Sequence, residues 1–424
     1  MLDFKFIKEN LEAVKQNIKI RNVKADAELA AGLYTQRNTL QQQLDDQRRA
    51  RNENAGKMKA KLSTEEREAL IAEGKALKEK ISSLEEEYRE VQTRLLQEAD
   101  KIPNMTHPEV PEGRDDTANR EIKRWGEVPH FDFKPKDHLE LGQALDILDF
   151  EGAQQVSGQK FYYLKKQAVI LELALVRYAL DILQSRGFTP LITPDIAREE
   201  IVQGLGFNPR GEESNIYTLE QTGTCLIGTA EITLGGYYAG SILEADALPV
   251  KLGGLSHCFR REAGAAGQYS KGLYRVHQFT KLEMFIFCLP EDSQKYHDYM
   301  LEVEEQIYRG LEIPYRVVDV CTGDLGNQAY RKFDIEAWMP GRGENGEWGE
   351  ITSTSNCTDY QARRLQIRTK HEGKNIFVHM LNGTAIAVSR TLIALLENFQ
   401  TKEGEITLPR GLRDYTGFDR IKAG

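Results

Sequence analysis

Hydrophobic positions follow two regimes along the chain, and the change comes near residue 103. Between residues 26 and 102 apolar residues are sparse and periodic. From Leu77 they recur at Ile81, Leu84, Tyr88, Val91 and Leu95, in steps of 4, 3, 4, 3 and 4, the seam of a heptad coiled coil. Leu70 lies ahead of that run. Leu29, Leu33, Leu40 and Leu44 repeat the spacing earlier, followed by a polar stretch and then Met58 and Leu62. Between the two runs, Ser63-Thr-Glu-Glu66 is a capping-box pattern that starts a new helix. Two helices of similar length, separated by a restart, predict an antiparallel hairpin. An ordinary helical bundle is the alternative; the single narrow apolar stripe on each helix favours the hairpin.

Residues 104 to 121 break the periodicity with Pro108, Pro111, Asn104, Gly113, Asp115 and Asp116, the turn chemistry of a linker. From 122 to 424 the pattern is mixed. Ala168, Leu171, Leu175, Tyr178 and Ile182 form one amphipathic stripe closed by Gly187, and Arg390 to Phe399 forms another. The apolar runs between them read as consecutive strands joined by Gly-rich turns. This predicts an α+β architecture: an N-terminal helical hairpin over 1–103, then an antiparallel sheet flanked by helices. Neither GxxxxGK[ST] nor a strand-linked GxGxxG occurs, so the two familiar nucleotide cradles are missing.

Composition narrows the class. At 424 residues the chain is long for one domain. No run of 18 apolar residues appears, so no membrane helix is expected. The first ten residues, MLDFKFIKEN, resemble neither a secretory signal nor a transit peptide, which reads as a cytoplasmic protein. Five scattered cysteines without a CxxC pair predict neither a disulfide framework nor a zinc site. The net charge of −9 argues against a general polyanion binder, so any nucleic-acid contact needs a local basic patch. One candidate precedes the helix restart: Arg48, Arg49, Arg51, Lys57, Lys59 and Lys61 stand against Asp45, Asp46 and Glu53. Alone this is a solvated face; on a protruding arm it also suits an RNA backbone.

The densest chemistry lies in Cys258-Phe-Arg-Arg-Glu-Ala-Gly264 and Arg275-Val-His-Gln-Phe-Thr-Lys-Leu-Glu-Met-Phe285. With period two, Arg260 and Glu262 share a face and Arg261 points away. Arg275, His277, Phe279, Lys281 and Glu283 share another, opposite Val276, Leu282, Met284 and Ile286. A solvated face with cross-strand ion pairs would look the same. The Gly-rich connection Gly264-Ala-Ala-Gly267 is unusual for a plain hairpin. A guanidinium fork suits a phosphate or carboxylate, and a phenyl ring suits a base.

These runs resemble motif 2 of the class II aminoacyl-tRNA synthetases. Gly383-Thr-Ala-Ile-Ala-Val-Ser-Arg390 resembles motif 3, and Gly187-Phe-Thr-Pro-Leu-Ile-Thr-Pro194 resembles motif 1. With the arm, the Thr229-Ala230-Glu231 loop and Asn356-Cys-Thr-Asp-Tyr-Gln-Ala-Arg-Arg364, the chain resembles the bacterial-type seryl-tRNA synthetase family throughout. Three positions depart from that pattern: Ala385 and Ser389 stand where glycine is common, and Gly228 where proline is usual.

The resemblance implies activation of L-serine with ATP and transfer to tRNA(Ser), and to tRNA(Sec) where the host has it, by a homodimer formed through motif 1. Arg260 and Arg390 would be catalytic. Arg260 would bridge the ATP α-phosphate and the serine carboxylate, and Arg275 and Arg390 would hold the γ-phosphate. Glu262 would accept from the adenine amino group and Phe279 would stack on the base. Arg261, Val276, Glu350, Ile351, Thr352 and Ser353 complete the implied ATP site, with Glu350 and Ser353 holding Mg²⁺. Their spacing of three puts them on opposite faces of a flat strand, so a bend or a water relay is needed. Thr229, Ala230, Glu231, Glu283, Asn382 and Thr384, with Arg260, would form the serine pocket, and Arg48, Arg49 and Arg51 would contact tRNA. Two other readings stay open on the residues: a carrier-protein amino-acid ligase, which lacks such an arm, and a non-catalytic RNA-binding scaffold with a degenerate core.

Overall fold

The computed structural model describes residues 1–210, 214–263 and 269–423. The Gly-rich connection Gly264–Gly267 therefore lies outside the described residues. The chain divides into two compact units, Met1–Met105 and Thr106–Gly424.

In the first unit, α1 (Ala27–Lys57) and α2 (Thr64–Lys101) pair as an antiparallel hairpin. Each start is capped as the side chains dictate. Asp26 accepts from the Leu29 N–H at 2.9 Å. Ser63 and Glu66 form a reciprocal capping box, at 3.2 and 2.8 Å, which satisfies two of the orphan donors at the helix start. The seam is Leu33, Leu40 and Leu44 against Ile81, Leu84, Val91 and Leu95, all nearly inaccessible. Three expected members differ. Leu29 is exposed, and α1 ends at Lys57, so Met58 is its C-cap and Leu62 lies beyond it. The distal seam is closed instead by buried Asn54, whose amide reaches the Leu70 carbonyl (3.2 Å) and Glu73 Oε2 (2.7 Å).

The second unit is built on one eight-stranded sheet. Its strands are β1 (Arg120–Trp125), β2 (Thr189–Ile192), β3 (Val250–Phe259), β4 (Gln278–Cys288), β5 (Tyr315–Asp319), β6 (Arg331–Met339), β7 (Glu347–Asn356) and β8 (His379–Ala387). The order is β1-β5-β6-β7-β8-β4-β3-β2, antiparallel except for the β2–β3 pair. The 104–121 segment is less of a linker than its turn residues suggest. Val110 is buried against Val318 and Val320, and Arg120 and Glu121 already belong to β1.

Three helices, α3 (Gln167–Ser185), α4 (Ser293–Gly310) and α5 (Val388–Asn398), cover one face of the sheet. Leu171, Leu175, Met300, Val303, Ile307, Leu392 and Leu395 pack there against Leu282, Met284, Ile286 and Ile335. Because strand side chains alternate, Phe279, Lys281 and Glu283 are left on the opposite face. The chemistry collects there.

Candidate active site

A cavity of about 150 Å³ opens over β4, β7 and β8, walled by arginines and carboxylates. Its floor is set by two strand irregularities. Between β4 and β8, Leu282 faces Ile386 but Glu283 faces Thr384, so Ala385 is an extra residue. Between β6 and β7, Ile335 faces Thr352 but Glu336 faces Glu350, so Ile351 is extra. A bulge shifts the alternation by one residue. This is the bend that the three-residue spacing of Glu350 and Ser353 requires, and both side chains line the cavity.

Arg260 enters from the end of β3. Its Nε donates to the Gly228 carbonyl at 3.1 Å, and the guanidinium lies 5.2 Å from the Phe279 ring centre. Arg275 Nη1 meets Glu262 Oε2 at 3.1 Å, and its Nε donates to the Tyr269 carbonyl. Glu262 adopts a left-handed φ of 49°, a conformation that costs a non-glycine residue energy and aims this side chain at the cavity wall. Arg390, at the start of α5, stacks on Tyr274 (4.6 Å) and reaches Glu350 through Oε2 (3.2 Å) and the backbone carbonyl (3.0 Å). The Arg390 charge is the main influence that overrides burial and holds the Glu350 carboxyl down near 2. Each guanidinium has five donors, so these contacts leave N–H groups for a ligand.

The other end of the cavity is narrower and more buried. Lys281 contacts Glu283 Oε2 and donates to Thr229 Oγ1 at 2.7 Å. Thr384 Oγ1 donates to the same Glu283 oxygen at 3.3 Å. Glu231 Oε1 accepts from Gln361 (2.7 Å) and Asn382 (3.1 Å). Burial, then the Glu283 charge, push the Glu231 carboxyl up to about 7.

Seventeen predicted site residues can now be placed. Arg260, Glu262, Arg275, Val276, Phe279, Glu350, Ile351, Thr352, Ser353 and Arg390 line one cavity with Thr229, Glu231, Glu283, Asn382 and Thr384. Two do not. Arg261, two residues past the end of β3, is exposed, its N–H donating to the Asn215 carbonyl at 2.9 Å. Ala230 is buried in an apolar cluster with Leu205 and Leu234. His277 also leaves the expected face, because β4 begins only at Gln278; its ring packs on Phe161 and Tyr217. Lys281, Tyr274 and Gln361 went unassigned in the sequence. Lys281 had a signal there in its shared parity with Phe279 and Glu283, and Gln361 in its place within the Asn356–Arg364 run. Of the departures from the family pattern, Ala385 is the β8 bulge residue, buried in the core, and Ser389 lines the cavity. At Gly228 an added Cβ would meet only ordinary contacts, so the backbone there does not demand glycine.

Comparison with known proteins comes to the same architecture. Residues 1–106 match the seryl-tRNA synthetase N-terminal domain, and residues 217–399 match the class II tRNA synthetase core domain shared by the G, H, P, S and T enzymes. A serine–tRNA ligase of Treponema denticola is 61% identical over 99% of this chain and 100% of its own length. One from Borrelia recurrentis is 58% identical over 99% of both chains. Among solved structures, the Pyrococcus horikoshii seryl-tRNA synthetase complexed with ATP superposes with a TM-score of 0.92 at 40% identity, covering 100% of each chain.

Proposed function

The chain belongs to the seryl-tRNA synthetase family, and from that premise we infer a serine–tRNA ligase that condenses L-serine with ATP to seryl-adenylate and transfers the seryl group to the 3′ end of tRNA(Ser). The observation that carries the reading is the division of one cavity into an arginine-walled end and a carboxylate-lined end, with Arg260 beside both.

At the arginine end ATP binds with its phosphates among Arg260, Arg275 and Arg390. Glu262 accepts from the adenine amino group and the Phe279 ring offers its π face to the base. At the other end Glu231 and Asn382 take the serine ammonium, and Glu283 with Thr384 takes its hydroxyl. Arg260 bridges the serine carboxylate and the α-phosphate. The carboxylate is already ionised, so the step needs no general base. Its oxygen attacks the α-phosphorus in line, the bond to the bridging oxygen breaks, and pyrophosphate leaves. The chain's contribution is alignment and charge neutralisation. In the second step a ribose hydroxyl of the tRNA end attacks the seryl carbonyl and AMP departs.

Glu350 and Ser353 fit Mg²⁺. They present an ionised carboxylate and a hydroxyl to the same cavity, and Mg²⁺ usually takes only one or two protein oxygens beside water and phosphate. When bound, the ion would neutralise charge on the phosphate oxygens.

A pocket lined for a hydroxyl rejects alanine by roughly 10⁴-fold or more, since its polar groups are left unpaired. Arg48, Arg49 and Arg51, exposed on the hairpin, are the tRNA contacts, serving tRNA(Sec) as well where the host has it. The arm itself favours tRNA over a carrier protein as acceptor. Homodimer formation is supported by apolar side chains left in water around motif 1, with Leu173 62% and Ile192 84% exposed.

Serine-dependent exchange of labelled pyrophosphate into ATP tests reaction and amino acid together. Exchange with serine and little with alanine or threonine is expected; equal exchange with all three would overturn the reading.

A further inference from the structure

Lys281 has no assigned part in this chemistry, yet it is the most deeply buried cation in the cavity wall, 5% exposed. Burying an ammonium costs several kcal/mol unless a charge partner and hydrogen bonds offset it. Both are present: Glu283 Oε2 is its ion partner, and Thr229 Oγ1 accepts at 2.7 Å. Glu283 Oε2 also takes the Thr384 hydroxyl at 3.3 Å. The protein thus loads one carboxylate oxygen twice, and no hydrogen bond from a described residue engages Oε1.

We infer that Lys281 is a positioning residue for serine selection: by pinning Oε2 of Glu283 and the Thr229 hydroxyl, it leaves Oε1 of Glu283 as a fixed acceptor for the substrate hydroxyl. The inference rests on the serine reading above. A second effect of the same ammonium is electrostatic. Glu231 faces Glu283 and Lys281 from β4, Arg260 from the end of β3, Asn382 from β8 and Gln361 from the short helix Tyr360–Leu365. The Glu283 charge raises the Glu231 carboxyl, while Gln361, Lys281 and Arg260 lower it. Removing Lys281 leaves two buried carboxylates opposed with less compensation. Glu231 then keeps its proton to higher pH and holds the serine ammonium less well.

The test is pyrophosphate exchange by the full-length enzyme and its Lys281→Met variant, with serine and ATP varied separately between pH 6.5 and 8.5. The KM for serine should rise roughly 10- to 100-fold, the worth of a hydrogen bond to a charged group, and rise more at pH 6.5 than at pH 8.5. The KM for ATP should stay within about twofold. Lys281→Gln, which keeps a donor without the charge, should show a smaller rise and carries the same readouts if the Met variant does not fold. In a Glu283→Gln background, Lys281→Met should add less than its effect in the wild type. Unchanged serine KM, equal loss of serine and ATP, or full additivity with Glu283→Gln would overturn the role of Lys281 while wild-type exchange stands. Absence of serine-dependent exchange in the wild type would overturn the serine reading and this inference with it.

Discussion

Thr384 donates to Glu283 across the β4–β8 pair, at 3.3 Å, because the Ala385 bulge brings these two residues opposite each other. Without the bulge, Glu283 would face Ala385, and the Thr384 side chain would leave the cavity face. One extra residue in a strand thus decides whether the pocket offers a paired carboxylate and hydroxyl to the amino acid.

Glu283→Ala should therefore abolish measurable serine binding while ATP binding survives, since the carboxylate lies at the end of the cavity away from Arg275 and Arg390. Isothermal titration with each ligand decides this. Equal loss of both would give Glu283 a structural role.

Arg260→Ala should reduce pyrophosphate exchange by about 10²- to 10³-fold or more, the usual cost of losing a donor aimed at developing charge. Its guanidinium is held by the Gly228 carbonyl and the Phe279 ring, contacts whose loss leaves the core intact. An unchanged circular dichroism spectrum and melting temperature should accompany the loss. Near-normal exchange would remove Arg260 from the mechanism.

Deleting residues 30 to 98 and closing the gap with a short Gly/Ser linker should leave serine activation largely intact and strongly impair transfer to tRNA, because every cavity-lining residue lies in the second unit. A milder test neutralises Arg48, Arg49 and Arg51. Arg48 already pairs with Glu85 at 2.8 Å, so Arg49 and Arg51 should contribute more. If they meet phosphates, tRNA affinity should fall and its logarithmic salt slope should become shallower by up to about 0.9 per lost contact. Unchanged affinity and slope would make the basic stretch a solvated face.

Glu304 on α4 gives a stability prediction. Its carboxyl is fully buried beneath the sheet, close to Gly383, and burial pushes it well above the usual carboxylic range. The folded state therefore keeps this proton at pH values where the unfolded chain has released it. Its contribution is fully present below the unfolded value and declines as pH rises toward the folded one. Glu304→Gln removes that dependence. In urea unfolding, the stability of the variant relative to wild type should improve with rising pH above the unfolded Glu value, by at most about 1.4 kcal/mol per pH unit. A pH-independent difference would show that Glu304 does not fold as the neutral acid.

What the sequence determined by itself is local and periodic. The heptad steps from Leu77 to Leu95 placed one helix of the arm, Ser63 and Glu66 placed its start, and the parity of Phe279, Lys281 and Glu283 placed them on one face. Parity also set Arg261 apart from Arg260 and Glu262, and its side chain is exposed. These signals survive because backbone geometry repeats every few residues whatever surrounds it. Tertiary structure decided the rest. The bulge at Ile351 that brings Glu350 and Ser353 to one cavity depends on the register with β6, a strand that ends eight residues before β7 begins. The Lys281 contact with Thr229 spans 52 positions. The fate of Leu29, exposed although in step, depends on where the partner helix lies. Register, bulges and buried charge pairs are settled by which distant segment packs alongside, and no window of local sequence contains that partner.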